Sequence, residues 1–227
     1  MKPYLKNICT NEVHKGIVRR LYEHDLDEIM RVQDEVISAI TDSAAYVPST
    51  RAEFLNMLEN GEVHGMFANG ELCGVCGFIP SLYGENLGAD IGFSDSECAN
   101  CVTLECYFVA PAYRSNGIAR ELAHVCVGRA VEAFGCTRVL ATVSPKNIGS
   151  LMSMMSINGF QIKAMRQKYG CKLRYIMCYT HSSTRLYTYY ERFSVFDVYA
   201  ISRCLAKGYE GISLFKNEDG IFVWLAK

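Results

Sequence analysis

Apolar positions along this chain alternate in some stretches and recur every three to four residues in others, and the switches predict a mixed α/β architecture. Residues 17–22 alternate and predict a first strand. Asp25 leads a helix whose apolar positions are Leu26, Ile29, Met30, Val36, Ile37 and Ile40. Thr50-Arg-Ala-Glu53 is a capping box, with Phe54, Leu55 and Leu58 behind it and Gly61 as its stop. Residues 63–68 and 71–79 flank Asn69-Gly70, a strong hairpin signal. A strand-helix unit follows at 103–134, where Ala119, Leu122, Cys126, Ala130 and Ala133 form one apolar stripe. A second unit follows at 138–158, and residues 161–168 and 173–180 pair around Gly170.

Two regions stand outside this order. Residues 81–101 read as a long connection carrying Glu85, Asp90, Asp95 and Glu97 with no Lys or Arg. Connections this long in compact domains are more often functional than idle. It reads either as a solvated acidic loop or as a lid that favours a cationic amine. Residues 181–194 read as a polar, Tyr-rich linker. Beyond it, 195–206 predict a helix, and 211–215 with 221–226 predict a hairpin around Asn217-Glu-Asp-Gly220. That unit is too small to fold alone and is expected to pack on the main sheet or on a partner subunit, a possible homodimer.

Length and charge narrow the function. The chain has 227 residues, enough for one well-cored domain plus an appendage. A formal net charge of −1 argues against a nucleic-acid binder. Apolar runs fall short of the roughly 20 residues of a membrane span, so no membrane is expected. Met-Lys-Pro-Tyr-Leu-Lys-Asn has no apolar signal core, and a cytoplasmic protein is expected. Of the eleven cysteines, Cys73-x-x-Cys76 and Cys98-x-x-Cys101 form pairs that could mean zinc. An odd separation places Cys73 and Cys76 on opposite faces of a strand, which favours small buried side chains, so no metal is expected.

The chemistry concentrates at 102–119. A β-branched and aromatic run ends at Pro111, turns through Arg114-Ser115-Asn116-Gly117 and enters the helix. Free N–H groups and the helix dipole at such a start bind anions, and glycine permits close backbone approach. The same pattern also fits an ordinary crossover.

Val-x-Pro-x-Tyr-Arg-x-x-Gly-Ile-Ala, from Val109 to Ala119, resembles motif A of the GNAT superfamily of acyl-CoA-dependent N-acetyltransferases. Strand 138–143, then Ser144-Pro145-Lys146-Asn147-Ile148-Gly149-Ser150 and Gly159-Phe160, look like motif B. The resemblance covers roughly residues 16 to 180. The insertion, with Lys168-Tyr169-Gly170 and Arg174-Tyr175-Ile176, resembles uncharacterised bacterial members of the superfamily. The resemblance implies a central, mostly antiparallel mixed sheet flanked by helices, a GNAT domain over 1–180 and a C-terminal extension over 195–227. It further implies an acetyl-CoA cosubstrate and a small-molecule or peptide amine acceptor. Backbone groups near Phe108 and Val109 would pair with pantetheine amides. The N–H groups of Arg114, Ser115, Asn116, Gly117, Ile118 and Ala119 would cradle the pyrophosphate. Asn147 and Ser150 would contact the arm near the thioester. Glu105, six residues before Pro111, is the candidate general base, with Tyr107 on the same strand face. Glu105 also fits an exposed residue or a structural ion pair.

Three positions depart from the family pattern. The helix between Asn147 and Gly159 is about one residue longer than the family usually shows, Met154 or Met155 falls where a tyrosine acid often stands, and Ser115 replaces the first motif glycine. These departures leave open an acyl-CoA-binding sensor or scaffold without transferase activity.

Overall fold

The computed structural model describes residues 4–180 and 185–227. The strands are β1 (Tyr4–Lys6), β2 (Val13–Leu21), β3 (Glu62–Ala68), β4 (Glu71–Pro80), β5 (Cys101–Val109) and β6 (Arg138–Val143). They continue with β7 (Phe160–Lys168), β8 (Lys172–Thr180), β9 (Tyr190–Ser194), β10 (Glu210–Asn217) and β11 (Gly220–Ala226). The helices are α1 (Leu26–Ser38), α2 (Arg51–Asn60), α3 (Asp95–Ala99), α4 (Ile118–Phe134), α5 (Ile148–Met155) and α6 (Val198–Ala206). All eleven strands join one sheet in the order β1-β2-β3-β4-β5-β6-β8-β7-β10-β11-β9. The β5–β6 pair is parallel and every other pair antiparallel.

The local signals act where the sequence placed them. Thr50 and Glu53 close a reciprocal capping box on α2, with Thr50 Oγ1 accepting from the Glu53 N–H at 3.2 Å. Asn69-Gly70 turns the β3–β4 hairpin with φ of 53° and 82°. Helices α1, α2 and α4 pack on the central strands, and small residues on β4 set how closely. A Cβ on Gly74 would lie 2.6 Å from Ile118 Cγ2 of α4. The Cys73 thiol bonds the Met66 carbonyl at 3.2 Å, and the Cys126 thiol bonds the Cys76 carbonyl at 3.4 Å. These buried thiols act as small core groups.

Several expectations need correction. The first strand begins at Val13 rather than residue 17 and is preceded by β1. Ile17 is 54 % exposed, so alternation there reports an edge face rather than the core. Asp25 stands directly before α1 as expected, but its carboxylate makes no cap bond to the helix. It is buried and held by two bonds from Arg19 at 2.7 and 2.9 Å, which lower its pKa. On α4, Leu122, Cys126 and Ala130 of the expected stripe are buried, the face widens to include Ile118, Ala123 and Val127, and Ala133 is exposed.

Residues 81–101 are more ordered than a loop. They hold a 3-10 turn at Ala89–Ile91 and then α3, capped by Ser94. Leu87 is fully buried against Cys101, Leu140, Ala164, Ile176 and Cys178 and fastens the segment to one sheet face. Of the predicted linker, residues 181–184 lie outside the described residues, and its last five form β9 on β11. The C-terminal helix starts at Val198, three residues late, because Asp197 caps it by accepting from the Ala200 N–H at 3.0 Å. The C-terminal unit continues the sheet through Gly211 opposite Ile162. Glu210 bonds Lys163 at 2.8 Å and Tyr187 at 3.0 Å, and also pairs with Arg185.

Candidate active site

β5 and β6 run side by side only from Cys101 opposite Arg138 to Leu104 opposite Ala141. Beyond that point β5 continues on β4 alone, through Phe108 opposite Val75 and Val109 opposite Gly74. One edge of β5 from Glu105 to Val109 therefore keeps backbone donors and acceptors that no neighbouring strand takes up. Glu105 sits where the strands part. Cys106 faces Gly77 and Leu104 faces Phe78, so Glu105 is the extra residue of a β-bulge. The bulge turns its carboxyl into a cavity of about 380 Å³.

The surroundings of Glu105 set its acidity. Burial raises its pKa to about 7, and the Glu85 and Glu53 carboxylates push the same way. A bond from the Glu85 N–H to Oε1, at 3.4 Å, is the chief opposing influence, and burial outweighs it. The acid is then half ionised at neutral pH, as a general base requires.

Other polar groups line the same cavity. The Tyr107 hydroxyl is buried without a hydrogen-bond partner, and burial raises its pKa more than the nearby Ser153 side chain lowers it. Tyr169 stands at the rim, 37 % exposed, and its hydroxyl donates to Glu85 Oε2 at 2.9 Å. It adopts φ of 50°, the first of three successive left-handed residues at 169–171. For a bulky side chain that conformation is strained, and such strain clusters at functional sites. Asn147 Oδ1 caps α5 by accepting from the Ser150 N–H at 3.0 Å, and both residues reach the cavity. Of Met154 and Met155, the two residues at the position expected for a proton donor, Met154 is buried in the cavity wall.

The acidic segment does wall this cavity, through Tyr83, Gly84 and Glu85. Its charges are largely spent: Lys168 Nζ lies 2.6 Å from Glu85 and 2.7 Å from Asp90, and Arg138 lies 3.2 Å from Glu97. The segment is therefore not the open negative surface that its composition suggested.

A second, more open cavity of about 510 Å³ lies at the start of α4, bordered by Ser115, Asn116, Gly117, Ile118 and Arg120. Ser115 and Gly117 have φ of 65° and 79°, which turns the chain so that the first N–H groups of the 17-residue helix face outward. A Cβ on Gly117 would meet nothing within 4 Å, so backbone conformation, not crowding, requires glycine there. The Asn116 side chain is structural: it accepts from the Lys6 N–H at 2.9 Å and donates to the Lys6 carbonyl at 2.8 Å, tying β1 to the turn. Arg114 is exposed. Ser153 and Ser156 of the α5 region face this second cavity, while Asn147, Ser150 and Met154 face the first.

The sequence reading named Glu105, Tyr107, Asn147 and Ser150, and all four line the first cavity. It missed Tyr169, Arg174 and Tyr46 in the first cavity and Arg120 in the second. Arg174 carried a usable signal, a lone cation inside the apolar run 173–179.

A mixed sheet whose one parallel pair splays over a cavity, with a helix start beside it, matches the GNAT fold. The Acetyltransferase (GNAT) family model matches residues 24–160, and the chain belongs to that family of acetyltransferase enzymes. Solved structures agree in fold. A GNAT-family acetyltransferase from Streptococcus pneumoniae is 16 % identical, covering 74 % of this chain and 100 % of that one, with a TM-score of 0.57. The yncA protein from Salmonella typhimurium, solved with its cofactor acetyl-CoA, is 18 % identical over 75 % of this chain and 98 % of its own, with a TM-score of 0.55. The aminoglycoside acetyltransferase AAC(6')-Ib, solved with coenzyme A and kanamycin, is 15 % identical over 73 % and 95 %, also with a TM-score of 0.55. No curated protein matches the sequence significantly. Among the described residues no group of three or more His, Cys, Asp or Glu is placed to hold a metal, and no helix is long and apolar enough to cross a membrane.

Proposed function

We propose that this chain moves an acetyl group directly from acetyl-CoA to a primary amine, with Glu105 as general base. The observation that carries the reading is the position of Glu105, at the point where β5 and β6 part, with a pKa raised to about 7. Acetyl-CoA supplies the thioester. The residues fit it: the N–H groups from Arg114 to Ala119 would receive the pyrophosphate at the start of α4. The free edge of β5 at Phe108 and Val109 would pair with the pantetheine amides, and Asn147 and Ser150 would border the arm near the thioester.

Glu105 takes a proton from the ammonium form of the acceptor, leaving a nucleophilic nitrogen lone pair. The N–C bond to the acetyl carbon forms as the C–S bond breaks, which leaves the nitrogen with a second proton to lose and the departing thiolate with one to gain. Tyr107, whose hydroxyl lies in the cavity wall, would give its proton to the thiolate and be reprotonated by the second proton of the nitrogen. It would stand in for the family's tyrosine, whose position falls on Met154 or Met155.

Glu105→Gln is expected to leave acetyl-CoA affinity intact and cut turnover by about 10²–10⁴. Wild-type kcat/KM should rise with pH up to about 7 and level off as the Glu105 carboxylate forms. A variant as active as wild type at every pH would remove Glu105 from the mechanism.

A further inference from the structure

Arg174, on β8, is only 3 % exposed yet has no anionic partner. Its Nη1 donates to the Leu173 carbonyl at 2.8 Å, and its guanidinium lies 5.7 Å from the centre of the Tyr169 ring. Its Nη2 is buried with no acceptor at all. Among the described residues no carboxylate forms an ion pair with it.

Burying a cation without an anion is costly, and proteins ordinarily supply a partner. The cavity's own carboxylates do not serve. Glu85 is taken by Lys168, Glu53 is engaged in the cap of α2, and Glu105 accepts from the Glu85 N–H. Arg174 nevertheless lines the same 380 Å³ cavity as Glu105. A buried guanidinium without a counter-charge, in the wall of a cavity, is suited to an oxyanion that arrives with a ligand. The cofactor's phosphates belong to the other cavity, at the start of α4, so they do not supply it.

We propose that the acceptor is a small amine that also carries a carboxylate, of the amino-acid class, its amino group toward Glu105 and its carboxylate on the Arg174 guanidinium. This rests on the N-acetyltransferase reading and names its substrate class. It also replaces the expectation of a simple cationic amine, whose positive charge would meet Arg174 unbalanced.

The test uses the full chain with acetyl-CoA and follows thiol release on four matched acceptor sets: amino acids, their primary amides, their decarboxylated amines, and aminoalkyl phosphates. The expected result is a kcat/KM about 10²-fold higher for an amino acid than for its amide, carried mainly by KM, because a built hydrogen-bonding site rejects the analogue that leaves it unpaired. Arg174→Met should bring that ratio close to one, and Arg174→Lys should keep part of it. Should Arg174→Met fail to fold, the wild-type ratio still decides. Equal rates on acid and amide, or a preference for the decarboxylated amine, would overturn the assignment. The highest rate on an aminoalkyl phosphate would also overturn it and give Arg174 to a phosphate. Acetyl-CoA binding without turnover on any amine would overturn the N-acetyltransferase reading itself, and this inference with it.

Discussion

The raised pKa of Glu105 has a thermodynamic consequence that can be measured without any substrate. In the unfolded chain this carboxyl ionises near its ordinary value of 4.5, and in the folded protein near 7. Between those values the native state binds more protons than the unfolded state, so folding stability falls as pH rises through the window. Below about 4.5 the group is protonated in both states and costs nothing. Above about 7 the full difference applies. At about 1.4 kcal/mol per pH unit, the gap makes ionised Glu105 cost the fold about 3 kcal/mol. Glu105→Gln is uncharged at every pH and escapes this cost. The stability of the variant minus that of wild type should therefore grow by about 3 kcal/mol between pH 4.5 and pH 8. In a chain of this size that corresponds to a Tm gain of about 6–12 °C at the upper end. Urea denaturation of both proteins at matched ionic strength across that range measures the difference directly. A difference that stays constant with pH, or shrinks as pH rises, would refute the raised pKa and with it the placement of Glu105 in a dry cavity wall.

Other predictions follow from the same geometry. Tyr107→Phe should lower kcat while leaving acetyl-CoA affinity within about twofold in calorimetry, because only the buried hydroxyl is removed. Gly117→Glu should abolish CoA binding while circular dichroism still reports a folded protein, since φ there is 79° and the new carboxylate would oppose phosphate. Glu62 is buried between Arg20 at 3.1 Å and Arg129 at 2.8 Å, which hold its pKa down to about 2. Glu62→Ala should cost about 1–3 kcal/mol in neutral urea titrations, because the hydrogen bonds from two half-exposed arginines and the contact with buried His64 are lost while solvent screens the arginines. The wild-type contribution of Glu62 is present above about 4.5 and should be lost as pH falls toward 2, a direction opposite to that of Glu105.

The sequence made the repeating parts of the fold legible and left the tertiary exceptions hidden. Capping at Thr50, the Asn69-Gly70 turn and the 161–180 hairpin depend on neighbouring residues, so local chemistry was enough to read them. The bulge at Glu105 depends on how β4 and β5 register, which no single strand reveals. β1 is three residues long and is held by Asn116, 110 positions away, so its pattern was too short to read. The acidic segment misled through composition: Lys168, which neutralises Glu85 and Asp90, is 78 positions from the nearer one. Residues 190–194 were read as linker because their polar and aromatic side chains alternate on an exposed edge strand. For the site, motif spacing found the strand and helix residues that frame the divide. It did not find Tyr169 or Arg174, which reach the cavity only because β7 and β8 fold back beside β6.

The most direct test is steady-state acetyl transfer by the purified full chain, with acetyl-CoA and a broad panel of amines, following free thiol and N-acetylated product together. The account predicts equal amounts of thiol and N-acetyl product, strongest on carboxylate-bearing amines and lost in Glu105→Gln. Acetyl-CoA that binds at the start of α4 but yields no N-acetylated product with any amine would contradict it, leaving a protein that holds the cofactor without transferring the acetyl group.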